Sequence, residues 1–292
     1  MPSLETPSAR PASITRTLSG PEGDRAPPGG RNVRPATGEP TAADPWEPLR
    51  RFTSARIALG RAGGSVRTDS MLDFRLSHAR ARDAVQMEFH ADSLGAALGR
   101  AGLDSVRVDT AAADRRTYLV RPDLGRCLHP EMRAALVARR SLWGARDLVI
   151  IVSDGLSSLA AERQSGAVLT HLVPLLRAAN WSLYPIFIVP FGRVKLQDEI
   201  GEILGARHSL MLLGERPGLG SPDSLGAYFT FMPRAACTDA DRNCVSNIRA
   251  EGLPPKAAAQ KLAHLLMESA RRGISGVELK DTGKALPADG EW

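Results

Sequence analysis

The sequence predicts an α/β fold, a Rossmann-like and mainly parallel sheet with helices on both faces, preceded by a small helical N-terminal region and a disordered arm. Three observations carry this. From about residue 105 onward, short and nearly uninterrupted apolar runs alternate with helical stretches, the pattern of strands buried on both faces. Before that, over about 46–104, the periodicity is helical. The first 50 of the 292 residues hold ten of the 21 prolines and five of the 27 glycines, so this stretch cannot bury enough surface to offset its ordering entropy.

Residues 1–45 therefore read as a disordered Pro/Gly-rich arm. Its five arginines cancel five acidic residues, so it is no polybasic tether; a docking or targeting tail is one reading and a dispensable linker the plainer one. In region 46–104, Leu72, Leu76 and Ala79 recur at i, i+4 and i+7, with Arg75, His78 and Arg82 on another face. That basic face reads as solvated, with an anionic partner as the alternative. The glycines at 60, 63 and 64 invite a phosphate-loop reading, which fails because no Gly-Lys-Ser/Thr follows. Within domain 105–281 the predicted strands are 106–108, 148–152, 183–189, 209–213 and 227–232. The predicted helices are 168–179, then 196–204 stopped by Gly205, then one from Pro255 to Gly273 with Ala258, Leu262, Leu265, Leu266 and Ser269 inward and His264 outward. Residues 282–292 read as a flexible tail.

Composition excludes several classes. The longest apolar runs, 148–152 and 183–189, fall far short of the roughly 18–20 residues that cross a bilayer, and no apolar segment behind the first basic residues marks a secretory signal; the expected compartment is the cytoplasm. Cys127, Cys237 and Cys244 lack CxxC pairing, so neither a disulfide framework nor a structural zinc site is expected, and Cys127 near His129 reads as a turn. The formal charge, 38 minus 32 or +6, is mild for this length, and with 5% aromatic residues a nucleic-acid platform is the least favoured reading.

In an open parallel sheet, ligands bind at the carboxyl ends of the strands. The loops there read SDGLS at 153–157, FGRVK at 191–195 and GERPGLG at 214–220, each with glycine and a charged residue. One such loop is an ordinary turn; three in register at one sheet edge point to a site. The chemistry stays open. GLG at 218–220 lacks the third glycine of a dinucleotide fingerprint, no GxSxG elbow accompanies Asp154 and Ser157, and neither HExxH nor DxHxxG occurs. The residues alone define an α/β binding domain without an obvious catalytic group.

Read as strings, these segments resemble the small (light) subunit of ethanolamine ammonia-lyase. The similarity runs through ARIALGRAGG at 55–64, YLVRPDLGR at 118–126, VSDGLS at 152–157, GRVKLQDEIGEILGAR at 192–207, GERPGLGSPDSLGAY at 214–228, DRNCVSNIR at 241–249 and SGVELKD at 275–281, covering about 46–281 in order. The resemblance implies an adenosylcobalamin-dependent lyase that converts ethanolamine to acetaldehyde and ammonia by a radical mechanism. It implies that this chain supplies part of the cobalamin-binding surface, with the cofactor base-on, at the interface with a large TIM-barrel subunit that binds ethanolamine in a hetero-oligomer. This chain cannot be that barrel, because it lacks eight βα units in its roughly 235 ordered residues. Cofactor contacts fall on the positions matching Val194, Glu215 and Cys244, and no catalytic or metal-ligating residue is implied here. On that reading Glu215 accepts hydrogen bonds from amides of the corrin rim, Val194 gives apolar or backbone contact, and Cys244 packs against the macrocycle. Without the resemblance they would be a surface ion pair, a core valine and a buried thiol. Some members of the family sit inside a bacterial microcompartment. The competing class is a stand-alone α/β cofactor-binding or regulatory protein without lyase activity.

Overall fold

Six strands in the order β3-β5-β4-β6-β7-β8 form the central sheet of the computed structural model, which describes residues 44–53, 55–62 and 64–281. The expected tail, and all of the expected arm but its last two residues, lie outside the described residues. In chain order a 3-10 turn at Glu47–Phe52 leads to a two-stranded hairpin, β1 (Arg61–Ala62) and β2 (Ser65–Val66). Helices α1 (Thr68–Gln86) and α2 (Ala91–Arg100), strand β3 (Ser105–Arg107), and helices α3 (Arg115–Val120) and α4 (Pro130–Trp143) follow. Next come β4 (Leu148–Ser153), α5 (Ser158–Ala178), β5 (Ile186–Ile188), α6 (Leu196–Leu204), β6 (His208–Gly214), β7 (Leu225–Phe231), β8 (Arg242–Ile248) and α7 (Pro255–Arg272).

The expected α/β class is borne out. Strands β3, β5, β4 and β6 pair in parallel. Every residue of β4 and β6 is buried, as their unbroken apolar runs require. Alternate side chains of each strand feed two cores. Ile150 and Val152 of β4 join α2, α5 and α7 on one face, while Val149 and Ile151 join α4 and α6 on the other. The chain leaves β4 for β5 on one side and reaches β6 on the other, so β4 lies at the topological switch point.

Beyond β6 the parallel pattern ends. The connection 215–224 is shorter than the roughly dozen residues a parallel crossover needs, so the expected strand at 227–232 returns antiparallel as β7, and β8 adds a second antiparallel pairing. β8 escapes the sequence reading because its RNCVSNI pattern buries only Val245 and Ile248. α5 begins ten residues before the expected 168, capped by the Ser157 side chain accepting from Ala160 N at 3.1 Å, and it runs through Pro174. The Leu72–Leu76 stripe does not face a core: α1 buries only Ser77 and Ala84. His264, expected outward, is half-buried. The closing helices match: Gly205 and Gly273 adopt φ of +69° and +67° as C-caps of α6 and α7.

His208 is fully buried between the rings of Trp181 and Phe231, with centroids 5.0 and 5.1 Å away, and its Nε2 lies 3.1 Å from Ser269 Oγ. Burial, helped by nearby Arg207, pushes its pKa down to about 4 from 6.5. The unfolded chain thus takes a proton in an interval where the folded chain does not, so stability present above pH 6.5 is lost as pH falls toward 4. His208→Gln, which cannot titrate, will flatten that acid limb by something on the order of 3 kcal/mol, measured as urea midpoints across the interval.

Candidate functional site

The three glycine-bearing loops do meet at one rim, and the first holds the other two. Ser153, Asp154 and Ser157 are fully buried. Asp154 Oδ1 accepts the Phe191 amide at 2.7 Å, and Ser153 Oγ accepts the Gly192 amide at 2.9 Å, which pins the loop after β5. Leu156 N donates to Gly214 O at 2.9 Å and Ser157 Oγ to Pro222 O at 2.8 Å, which pins the loop after β6. Asp154 Oδ2 takes Arg115 Nη1 at 2.9 Å. Burial pushes the Asp154 carboxyl up to about 6 against the opposing pull of Arg115. Phe191 sits at φ +61°, a left-handed conformation held by the bond from its own amide to Asp154. Asp154 and Ser157 are therefore the clamp of the rim and not a hydrolytic pair.

The clamp leaves no room at its crossing point. A Cβ on Gly214 would collide with the Ser157 and Asp154 carbonyl oxygens, and one on Gly155, at φ +52°, with the Gly214 carbonyl. All of these are backbone atoms that cannot swing away. Gly214→Ala will cost about 2–4 kcal/mol through displaced loops, read as a lowered Tm.

The candidate residues emerge from the second and third loops and from β8. Val194, half-buried just before α6, packs against the same core cluster as Tyr228 of β7. Glu215 follows β6; its Oε2 accepts Ser224 Oγ at 2.6 Å and Asn247 N at 3.3 Å. Its Oε1 receives no donor among the described residues, and it lies in the space left by the absent side chain of Gly226, 2.7 Å from where a Cβ would stand. The ion pair with an arginine that a surface glutamate suggests is absent among the described residues. Cys244 faces Tyr228 across the β7–β8 ladder. Cys244 is an exposed residue, yet partial desolvation, then the negative Glu215, push its thiol up to about 11. Burial likewise raises Tyr228 far above its ordinary value, with Cys244 and Glu215 adding to it. Both groups are neutral near pH 7.

One buried ion-pair network fixes this arrangement. Asp198, fully buried in the first turn of α6, accepts Arg242 Nη1 of β8 at 2.7 Å on each oxygen and Lys195 Nζ at 2.9 Å. Val194 adjoins Lys195, and Cys244 stands two residues beyond Arg242 on the same sheet face, so the network ties the two positions together. It also marks where the cover from α6 ends, because the next outward positions of β8, Cys244 and Ser246, are exposed. Glu215, Tyr228 and Cys244 are gathered at this bare patch, and Val194 lies at the margin of α6. Sequence reading missed Tyr228, Ser224, Asn247 and Asp198; Tyr228 becomes visible only once β8 is recognised as a strand opposite β7. Among the described residues no group of His, Cys, Asp and Glu side chains is arranged to hold a metal ion, and no helix is long and apolar enough to cross a membrane.

The described residues form an α/β body with one uncovered stretch of sheet and a carboxylate acceptor beside it. The comparisons with known proteins give its family. The family model described as ethanolamine ammonia-lyase light chain (EutC) matches residues 43–280. The ethanolamine ammonia-lyase small subunit of Azotobacter vinelandii is 53% identical over 252 residues, covering 86% of this chain and 93% of that relative. Those of Pseudomonas paraeruginosa, at 50% with 86% and 92% covered, and Xanthomonas campestris pv. campestris, at 51% with 82% and 88% covered, are similar. This chain belongs to the ethanolamine ammonia-lyase light chain family.

Asp198→Asn will leave Lys195 without a counter-charge and Arg242, whose side chain is 4% exposed, with only the solvent-exposed Asp239 at 3.3 Å. A loss of about 3–5 kcal/mol is expected; an unchanged unfolding midpoint would show that the network does not hold α6 to β8.

Proposed function

We propose that this chain is the small subunit of an adenosylcobalamin-dependent ethanolamine ammonia-lyase, a lyase active only with its large subunit, and that it forms one side of the cobalamin seat. The observation that carries the proposal is the undonated Glu215 Oε1 beside the bare Tyr228–Cys244 patch. A flat ligand with amide donors on its rim suits both parts: the carboxylate accepts the amides, and the uncovered sheet face takes apolar surface.

Val194, Glu215 and Cys244 are the residues we assign to the cofactor, all within 105–281. When bound, adenosylcobalamin supplies the radical chemistry that takes hydrogen from ethanolamine. The chain's own residues bind and orient. Glu215 is itself held by Ser224 and Asn247, so its free oxygen is aimed before any ligand arrives. Val194 excludes water at the margin of α6. Cys244, kept as a neutral thiol, packs as a small polarizable group and does not compete as a thiolate ligand. In this reading the cofactor would be bound base-on, with no residue of this chain assigned to the cobalt. Substrate binding belongs to the large TIM-barrel subunit in this reading, and the two form a hetero-oligomer.

The test is co-expression with the large subunit, followed by ethanolamine turnover with added adenosylcobalamin. The chain alone will be inactive and the pair active; failure to co-purify would favour a stand-alone binding or regulatory protein. In the assembled pair Glu215→Ala will weaken cobalamin binding roughly tenfold to a hundredfold, the value of a hydrogen bond to a charged acceptor. Ser224→Ala, which only loosens Glu215, will weaken it less. Unchanged affinity in Glu215→Ala removes that residue from the seat.

A further inference from the structure

Among the described residues, eight of the fourteen exposed large apolar side chains lie between positions 46 and 76. At the centre are Leu72 and Leu76 of α1, 58% and 50% exposed. A 19-residue helix that buries only Ser77 and Ala84 gains little from its own chain, and helices of this length owe most of their stability to packing of an apolar face. This helix is nevertheless anchored. Arg115 Nε donates to Val85 O and Ser158 Oγ to Met87 O, each at 2.8 Å, fixing its carboxyl end against α3 and α5. The exposed stripe is therefore presented in a set place.

Charge says what covers it. At helical spacing Arg75 and Arg80 fall on either side of the Leu72–Leu76 stripe, and neither has an acidic partner among the described residues. Residues 46–83 carry eight arginines against four acidic side chains, a net +4 out of the +6 of the whole chain. Two such surfaces repel in a self-complementary dimer contact. Residues 1–43 are a poor cover, with only Met1, Leu4, Ile14, Leu18 and Val33 as large apolar side chains and no aromatic one. Arg80 also lines a cavity of about 660 Å³ together with Arg56, Gly220 and Ser221, the last two in the loop that carries Glu215. Asp73, Ser77 and Arg80, next to the stripe, thus border the same cavity as the loop that leads away from Glu215.

We infer that the Leu72–Leu76 face of α1, flanked by Arg75 and Arg80, is the surface on which the large subunit docks, through an apolar patch with an acidic rim. The inference rests on the small-subunit reading. The experiment is affinity capture of the co-expressed large subunit by the tagged full chain, comparing wild type, the double variant Leu72→Asp with Leu76→Asp, and the double variant Arg75→Glu with Arg80→Glu. The aspartate pair is expected to keep the circular dichroism of the wild type, since both sites are exposed, and to capture the large subunit at least tenfold more weakly. The glutamate pair is expected to lose capture at low salt and to recover toward wild type as salt rises. Wild-type capture by both folded variants overturns the inference. So does an isolated wild-type chain that is a dimer and becomes monomeric on the aspartate substitutions, since a second copy would then be the occupant. If the aspartate pair fails to fold, the glutamate pair decides alone. If the wild type itself captures no large subunit, the small-subunit reading fails first, which separates the two failures.

Discussion

Asp154, at the carboxyl end of the central strand, is the group on which the whole rim depends. Two amides, a guanidinium and a hydroxyl converge with it and Ser153 at the switch point, so one short loop dictates the paths of its two neighbours. Everything functional is displaced outward from that crossing. The loops have no freedom to open around a ligand there, and the carboxylate sits in a dry environment where its bonds are strong and its isolation would be costly.

The antiparallel extension explains why an uncovered stretch of sheet exists at all. A doubly wound sheet with a helix after every strand covers both faces completely. Here β7 and β8 are added without a helix on the α6 side, and the cover that α6 provides stops at the Asp198–Arg242 pair. The result is a rigid shelf made of sheet backbone. Its two neutral polar side chains, Tyr228 and Cys244, stand beside a carboxylate held by the neighbouring loop.

The legible part of the fold was the part built from unbroken apolar strands and capped helices. β4 and β6 declare themselves by runs that only a two-faced environment requires, and α6 and α7 by glycines that can turn left-handed after the last turn. β8 did not, because an edge strand with one face open has few apolar positions to give it away. For the same reason Tyr228 could not be linked to Cys244 in advance: their partnership is a matter of register, which no local pattern records. The apolar stripe of α1 had the right period and the wrong destination. Periodicity says that a face will be covered, not by whom. Val194, Glu215 and Cys244 were reachable only through likeness to a family, since each is individually a commonplace residue.

The raised pKa of the Cys244 thiol has a consequence for the life of the subunit before assembly. A thiol with a pKa near 11 holds only about one thiolate in ten thousand molecules at neutral pH. Oxidants and electrophiles act on the thiolate, so a subunit waiting for its counterpart carries an open shelf that is chemically quiet. Burial and the charge of Glu215, against the opposing pull of the Tyr228 hydroxyl, thereby keep that cysteine in reserve as a neutral thiol.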